Sequence, residues 1–214
     1  MTKAEVISRI RECGVVPVIR ASSQDEALAV VDAVAAGGIG TIELTMTVPG
    51  AIEVIRRLAA ERDELLIGAG TVMDVETARQ CIAAGAKFII SPATNFETIA
   101  YCNGKDTVVM PGALTPTEVV NAWYAGADIV KVFPADAMGG AKYLRSLKAP
   151  LPNIKLIPTG GVDQETGAEF IRAGAEAIGV GADLVDLKAI REGRPDSITA
   201  TARKYLSIVS AARG

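Results

Sequence analysis

Four short Ala-Gly stretches recur along the chain at a nearly constant interval: Ala36-Gly37-Gly38, Ala84-Gly85-Ala86, Ala125-Gly126-Ala127 and Ala173-Gly174-Ala175. Their central glycines lie 48 residues apart (37 to 85), then 41 (85 to 126), then 48 (126 to 174). Each stretch closes a run with helical spacing and precedes a β-branched run of strand length. Each central glycine is therefore expected at a helix C′ position in the left-handed conformation, where a Cβ is strained. A period of about 45 residues fits a βαβα double unit, and four such units supply eight strands alternating with helices. That count predicts an α/β fold of the (β/α)8 TIM-barrel type with an extra N-terminal helix, as a single domain over residues 1–214. A doubly wound open sheet would impose no such count.

Local signals agree with this parse. Thr2 and Glu5 form a capping box for a first helix ending near Gly14, and Ser23 with Glu26 reads as a second box. Thr115-Pro116-Thr117-Glu118 opens a later helix with proline at its first position. The strands expected are Val15 to Arg20, Thr41 to Leu44, Leu65 to Gly68, Phe88 to Ser91, Val108 to Met110, Asp128 to Phe133, Ile154 to Pro158, and Ala177 to Val180.

Composition removes several function classes. The net charge of -3 gives no reason to expect nucleic acid or an anionic membrane as partner. No apolar run reaches transmembrane length, and the segment Met1 to Cys13 is too charged for a signal peptide, so a cytoplasmic location is expected. Cys13, Cys81 and Cys102 have no metal-like spacing and read as buried or idle thiols in a reducing compartment. The sequence contains no histidine, which removes His-activated nucleophiles and the usual zinc sites. Proton transfer then falls to Glu, Asp, Lys, Tyr or Cys.

Two charges stand inside apolar strands, Lys131 in Asp128-Ile129-Val130-Lys131-Val132-Phe133-Pro134 and Glu43 in Thr41-Ile42-Glu43-Leu44. Burying an ammonium is costly unless it is paired or gives up its proton, and a free amine is a nucleophile that forms a Schiff base with a ketone. A carboxyl group beside it is the proton carrier that such chemistry requires. The competing reading is a buried structural ion pair. Lys87 and Lys155 open their strands, at the end of a barrel that carries stability rather than chemistry, and are read as structural. Trp123 and Tyr124 read as outer-layer packing. At the opposite strand ends stand Arg20, Thr71, the Thr159-Gly160-Gly161 turn and the Gly179-Val180-Gly181-Ala182 turn. The glycine turns fit a phosphate cradle or, equally simply, tight βα turns. Arg20 and Thr71 suit a substrate carboxylate, and Arg20 alternatively suits a rim ion pair.

Together these stretches resemble the 2-keto-3-deoxy-6-phosphogluconate (KDPG) and 2-keto-4-hydroxyglutarate (KHG) aldolases. The likeness runs from Val15 to Asp186 through Pro17-Val18-Ile19-Arg20, Ile42-Glu43-Leu44-Thr45, Gly68-Ala69-Gly70-Thr71-Val72, Ile90-Ser91-Pro92, Pro111-Gly112, Lys131-Val132-Phe133-Pro134-Ala135, Gly139-Gly140 and Pro158-Thr159-Gly160-Gly161. The resemblance implies a class I lyase with neither metal nor cofactor, acting as a homotrimer on a phosphorylated 2-keto acid. It implies Lys131 as the Schiff-base lysine and Glu43 as the general acid/base. It implies Thr71, with Arg20 and Pro92, at the pyruvate carboxylate, and Thr159, Gly160, Gly161, Gly181 and Ala182 at the phosphate. Two positions depart from the pattern. Thr47 stands where some members carry arginine, for which Arg20 is the expected substitute, and Ala182 stands where some carry serine. Two other classes stay open: a sugar-phosphate isomerase or epimerase using carboxylates or a metal, and a non-catalytic barrel that binds phospho-metabolites.

Overall fold

A computed structural model describes all residues from Met1 to Gly214. Helices and strands alternate in the order α1 (Lys3–Cys13), β1 (Val15–Ile19), α2 (Gln24–Ala36), β2 (Thr41–Thr45), α3 (Ala51–Glu61), β3 (Leu66–Gly70), α4 (Val75–Ala83), β4 (Phe88–Ile90) and α5 (Phe96–Gly104). They continue with β5 (Val108–Met110), β6 (Gly112–Ala113), α6 (Pro116–Tyr124), β7 (Val130–Val132), α7 (Gly140–Lys148), β8 (Leu156–Pro158), α8 (Gly167–Arg172), β9 (Ile178–Val180), α9 (Leu187–Arg191) and α10 (Pro195–Arg213).

All strand pairs are parallel, in a curled six-stranded sheet ordered β5-β4-β3-β2-β1-β9 and a three-stranded sheet ordered β6-β7-β8. Nine segments replace the expected eight because Pro111, which has no N–H to donate, divides the fifth run into β5 and β6. The ladder nevertheless passes the proline. Asp128 N–H donates to Val109 O at 3.0 Å, Lys131 N–H to Pro111 O at 2.9 Å, and Phe133 N–H to Ala113 O at 3.1 Å. On the other flank a parallel bridge joins Thr159 to Gly179, and Glu176 N–H donates to Leu156 O at 2.9 Å.

The glycine repeat has the predicted cause with one slip of register. Gly85, Gly126 and Gly174 have φ of 109°, 102° and 96°, but in the first repeat the left-handed residue is Gly38 at 96°, while Gly37 is right-handed at -80°. Helix α2 thus runs one residue further than its neighbours before turning. The Ser23 box is also incomplete. Ser23 accepts from Glu26 N–H, but the Glu26 carboxylate turns to Ser22 and to Arg191 rather than back to Ser23. The boxes of Thr2 and Thr115 close as expected.

Two hydrophobic clusters follow from strand alternation. A cluster of 53 buried residues lies between strands and helices and takes Ile42, Leu44, Ile67, Ala69, Val130 and Val132. A smaller cluster of 11, including Val16, Leu66, Phe88 and Ile157, fills the opposite face of the strands. Helix α1 closes it at one end with Val6 and Ile10. Glu43, Gly68, Gly70 and Lys131 alternate with residues of the outer cluster and therefore face the same interior. No helix is long and apolar enough to cross a membrane.

Candidate active site

Glu43 and Lys131 come from strands far apart in sequence and meet in this interior. Register places Glu43 opposite Val18 and Gly68, and Lys131 opposite Gly112 and Ile157. Lys131 Nζ lies 3.6 Å from Glu43 Oε1, with the two side chains 5% and 1% exposed. That separation is close enough for strong attraction in a poorly solvated interior but longer than a hydrogen bond. Glu43 Oε1 has no hydrogen-bond partner. A purely structural buried pair would be expected to fill its remaining lone pairs, because each unfilled one costs free energy. The Phe133 ring centroid lies 5.4 Å from Lys131 Nζ.

Thr71 follows directly on β3 with φ of 60°, a left-handed conformation costing on the order of 1 kcal/mol for a residue other than glycine. Strain of this kind persists where the surroundings enforce it.

Two clefts flank Phe133. The first, of about 250 Å³, is lined by Arg20, Thr159, Gly160, Gly161, Gly181, Ala182 and Asp183, with Phe133 and Val18 on its wall. Gly160 and Gly161 have φ of 98° and 65°, and a Cβ on Gly179 would come within 2.2 Å of Thr159 Oγ1, so these glycines are required by shape. The second cleft, of about 320 Å³, is lined by Pro92, Ala93, Thr94, Gly112, Ala113, Leu114, Glu118 and Phe133. The three residues grouped for carboxylate contact do not share either of these two clefts. Arg20 lines the glycine-rich cleft, Pro92 the other, and Thr71 neither. Arg20 is exposed and enters none of the ion pairs, so the rim ion pair considered for it is not formed.

Sequence reasoning missed Phe133 as the wall between the clefts and Asp183 on the rim of the first. Asp183 accepts a hydrogen bond from Tyr205, wholly buried on α10, and one of 3.3 Å from Gln164 in the loop after Gly161. It therefore ties the loops after β8 and β9 to the last helix. Burial, reinforced by the hydrogen bond to Asp183, pushes the Tyr205 hydroxyl far above its usual range. Only the buried end of Tyr205 could have been anticipated, from the helical spacing of Ile198, Ala202, Tyr205 and Val209.

The remaining candidates fall as expected or nearly so. Burial raises the Cys81 and Cys102 thiols to about 11, which leaves them inert near neutrality. Lys87 and Lys155 precede their strands. Trp123 packs on the outer cluster, but Tyr124 is 83% exposed, because it points off the solvent side of the last turn of α6. The largest concavity, about 730 Å³, lies between α1, α8 and α10 at the opposite end. It is an open, polar groove with the Arg11–Glu176 ion pair on its wall and no orphaned buried group.

A sequence profile described as KDPG and KHG aldolase matches residues 6–201. The chain belongs to the KDPG and KHG aldolase family. It is 33% identical over 209 residues to the 2-dehydro-3-deoxy-phosphogluconate aldolase of Treponema pallidum, covering 98% of each chain. The crystal structure of KDPG aldolase from Legionella pneumophila, with pyruvate captured as a covalent carbinolamine, superposes with a TM-score of 0.86 at 30% identity, covering 92% of this chain and 96% of that one. A native KDPGal structure superposes with a TM-score of 0.82 at 31% identity, covering 93% and 95%.

Proposed function

We propose that this chain is a class I aldolase that reversibly cleaves a 2-keto-3-deoxy-6-phospho sugar acid to pyruvate and glyceraldehyde 3-phosphate. The observation that carries the proposal is the Lys131–Glu43 pair, buried, 3.6 Å apart and with Glu43 Oε1 unpartnered. In this reading Lys131 gives its proton to Glu43 and attacks the C2 ketone as a free amine. Glu43 then protonates the carbinolamine oxygen, which leaves as water, and an iminium forms. The iminium withdraws electrons, so the C3–C4 bond breaks as the C4 hydroxyl loses its proton. The aldehyde departs, the enamine carbon is protonated, and water releases pyruvate and restores Lys131. Splitting one carbanion-forming step into these stages is the benefit of the covalent route. The covalent bonds are assigned to Lys131 and the proton transfers to Glu43, which as a carboxylate accepts the C4 hydroxyl proton and returns it to the enamine carbon, and the sequence of steps calls for no metal or cofactor.

The phosphate is assigned to the glycine-rich cleft, through the backbone N–H groups of Gly160, Gly161, Gly181 and Ala182, the Thr159 hydroxyl and the Arg20 guanidinium. The placement of Arg20 in that cleft supports a phosphate contact for it at least as well as a carboxylate contact. The pyruvate carboxylate is assigned to Thr71, with Pro92 as an apolar contact. Thr47 is exposed and uncharged, so the carboxylate end relies on fewer charges than an arginine there would supply.

The nine strand segments are read as eight strands of one closed (β/α)8 barrel in a single domain over residues 1–214. The hydrogen bonds that pass Pro111 and the Thr159–Gly179 bridge support that closure. A homotrimer is proposed as the assembly, with exposed Met73, in the loop after β3, and exposed Phe96, the first residue of α5, as apolar surface available to it. A cytoplasmic location is proposed from the three scattered cysteines.

The test is a coupled assay for released pyruvate with KDPG, its galactonate epimer and KHG. The proposal expects turnover of at least one phosphorylated epimer. The galactonate epimer is carried as the second reading because of the likeness to the KDPGal structure. Pyruvate from KHG alone would confine the phosphate assignment, and none from any of the three would overturn the function.

A further inference from the structure

Why the Glu43 carboxylate lies where it does has an answer in its neighbour on β3. Leu66, Gly68 and Gly70 share the interior face of that strand, and two of the three have no side chain. Neighbours fill the two vacant places. A Cβ on Gly68 would meet the Phe88 ring at 2.1 Å. A Cβ on Gly70 would meet Glu43 Oε1 at 2.0 Å, Cγ at 2.5 Å and Cδ at 2.6 Å. The Glu43 side chain therefore lies across the bare backbone of Gly70, two residues along β3 from Gly68, its own register partner.

We infer that Gly70 is a positioning residue, a seat that holds the Glu43 carboxyl group at its working distance from Lys131. This rests on the aldolase reading above. Gly70 is not needed for its backbone, which is ordinary strand with no positive φ. Nor is it needed for a turn, since Thr71 is the residue that adopts the left-handed conformation. What remains is the space a methyl group would take, and the atoms already in that space belong to the proton carrier. Displacing a catalytic group by about 1 Å can cost on the order of 100-fold in rate, so one methyl group at this position is expected to act on chemistry more than on binding.

Gly70→Ala is the direct test, with kcat, KM and melting temperature measured in the wild-type background and melting temperature again in a Glu43→Ala background. The expected result is a loss in kcat on the order of 100-fold with little change in KM. The melting temperature should fall in the wild-type background and be unaffected in the Glu43→Ala background, where the three colliding atoms are gone. Should Gly70→Ala alone not fold, the Glu43→Ala background must restore folding. Wild-type kcat in Gly70→Ala, or an equal thermal penalty in both backgrounds, overturns the inference. Absence of aldolase activity in the wild-type protein would instead break the functional reading, and the melting comparison would still decide whether Gly70 seats Glu43.

Discussion

Two glutamates of this molecule are buried, and they are buried differently. Glu26, in the first turn of α2, is 8% exposed, and its carboxylate accepts hydrogen bonds from Ser22 N–H at 2.7 Å, Ser22 Oγ at 2.8 Å and Arg191 Nε at 2.7 Å. Glu43, in the middle of β2, is 1% exposed and keeps an oxygen with no hydrogen-bond partner. In Glu26 the cost of removing a carboxylate from water is offset locally, so the residue staples α9 to the start of α2. In Glu43 it is offset by the charge of Lys131 at 3.6 Å but not by a hydrogen bond to that oxygen. The difference teaches that burial of a charge is a weak sign of function, and burial without full satisfaction is a stronger one.

The comparison can be broken most sharply at Lys131. Lys131→Ala should abolish turnover while far-ultraviolet circular dichroism stays unchanged, and near-normal activity would return the pair to a structural role. Glu43→Gln keeps shape and removes the proton carrier, so kcat should fall by roughly 100- to 10,000-fold. Glu26→Ala should do the reverse. It should cost about 1 kcal/mol of stability, read by denaturant unfolding, and leave kcat of the folded protein unchanged.

A pH series sharpens the same contrast with a smaller effect. The Ser22 N–H, ahead of the Ser22 hydroxyl and Arg191 and against the opposing effect of burial, holds the Glu26 carboxyl below its ordinary 4.5. A group with a lowered folded value stabilises above its unfolded value and loses that contribution as pH falls through the folded one. Unfolding measured between pH 5 and about 3 should therefore show a shallower acid loss in Glu26→Gln than in wild type. The two buried thiols have the opposite sign. They stay protonated in the fold to about 11, whereas in the unfolded chain they ionise near 9.0. Stability should decline between about pH 9 and 11, and a Cys81→Ala, Cys102→Ala double variant should flatten that decline.

These cases also mark what sequence could convey. Strand and helix order was legible because alternation and capping are local, and the αL glycines punctuate each unit. The slip from Gly37 to Gly38 arose because two adjacent glycines satisfy one rule equally well. The break at Pro111 was in plain view, but the persistence of the ladder across it depends on carbonyl acceptors, which any residue carries. At the site, Lys131 and Glu43 were conspicuous because charge is rare in apolar strands. The partition by Phe133, the Asp183–Tyr205 tie and the seat at Gly70 were not, because each is a contact between segments distant in sequence made by residues of ordinary type.

The central claim is that Lys131 forms an imine with a 2-keto acid, and one measurement meets it directly. The protein is incubated with pyruvate, reduced with borohydride, and examined by intact mass and peptide mapping. The account predicts one reduced pyruvate adduct per chain, on Lys131. A folded protein that takes up no adduct, or takes it up on another lysine, would contradict it.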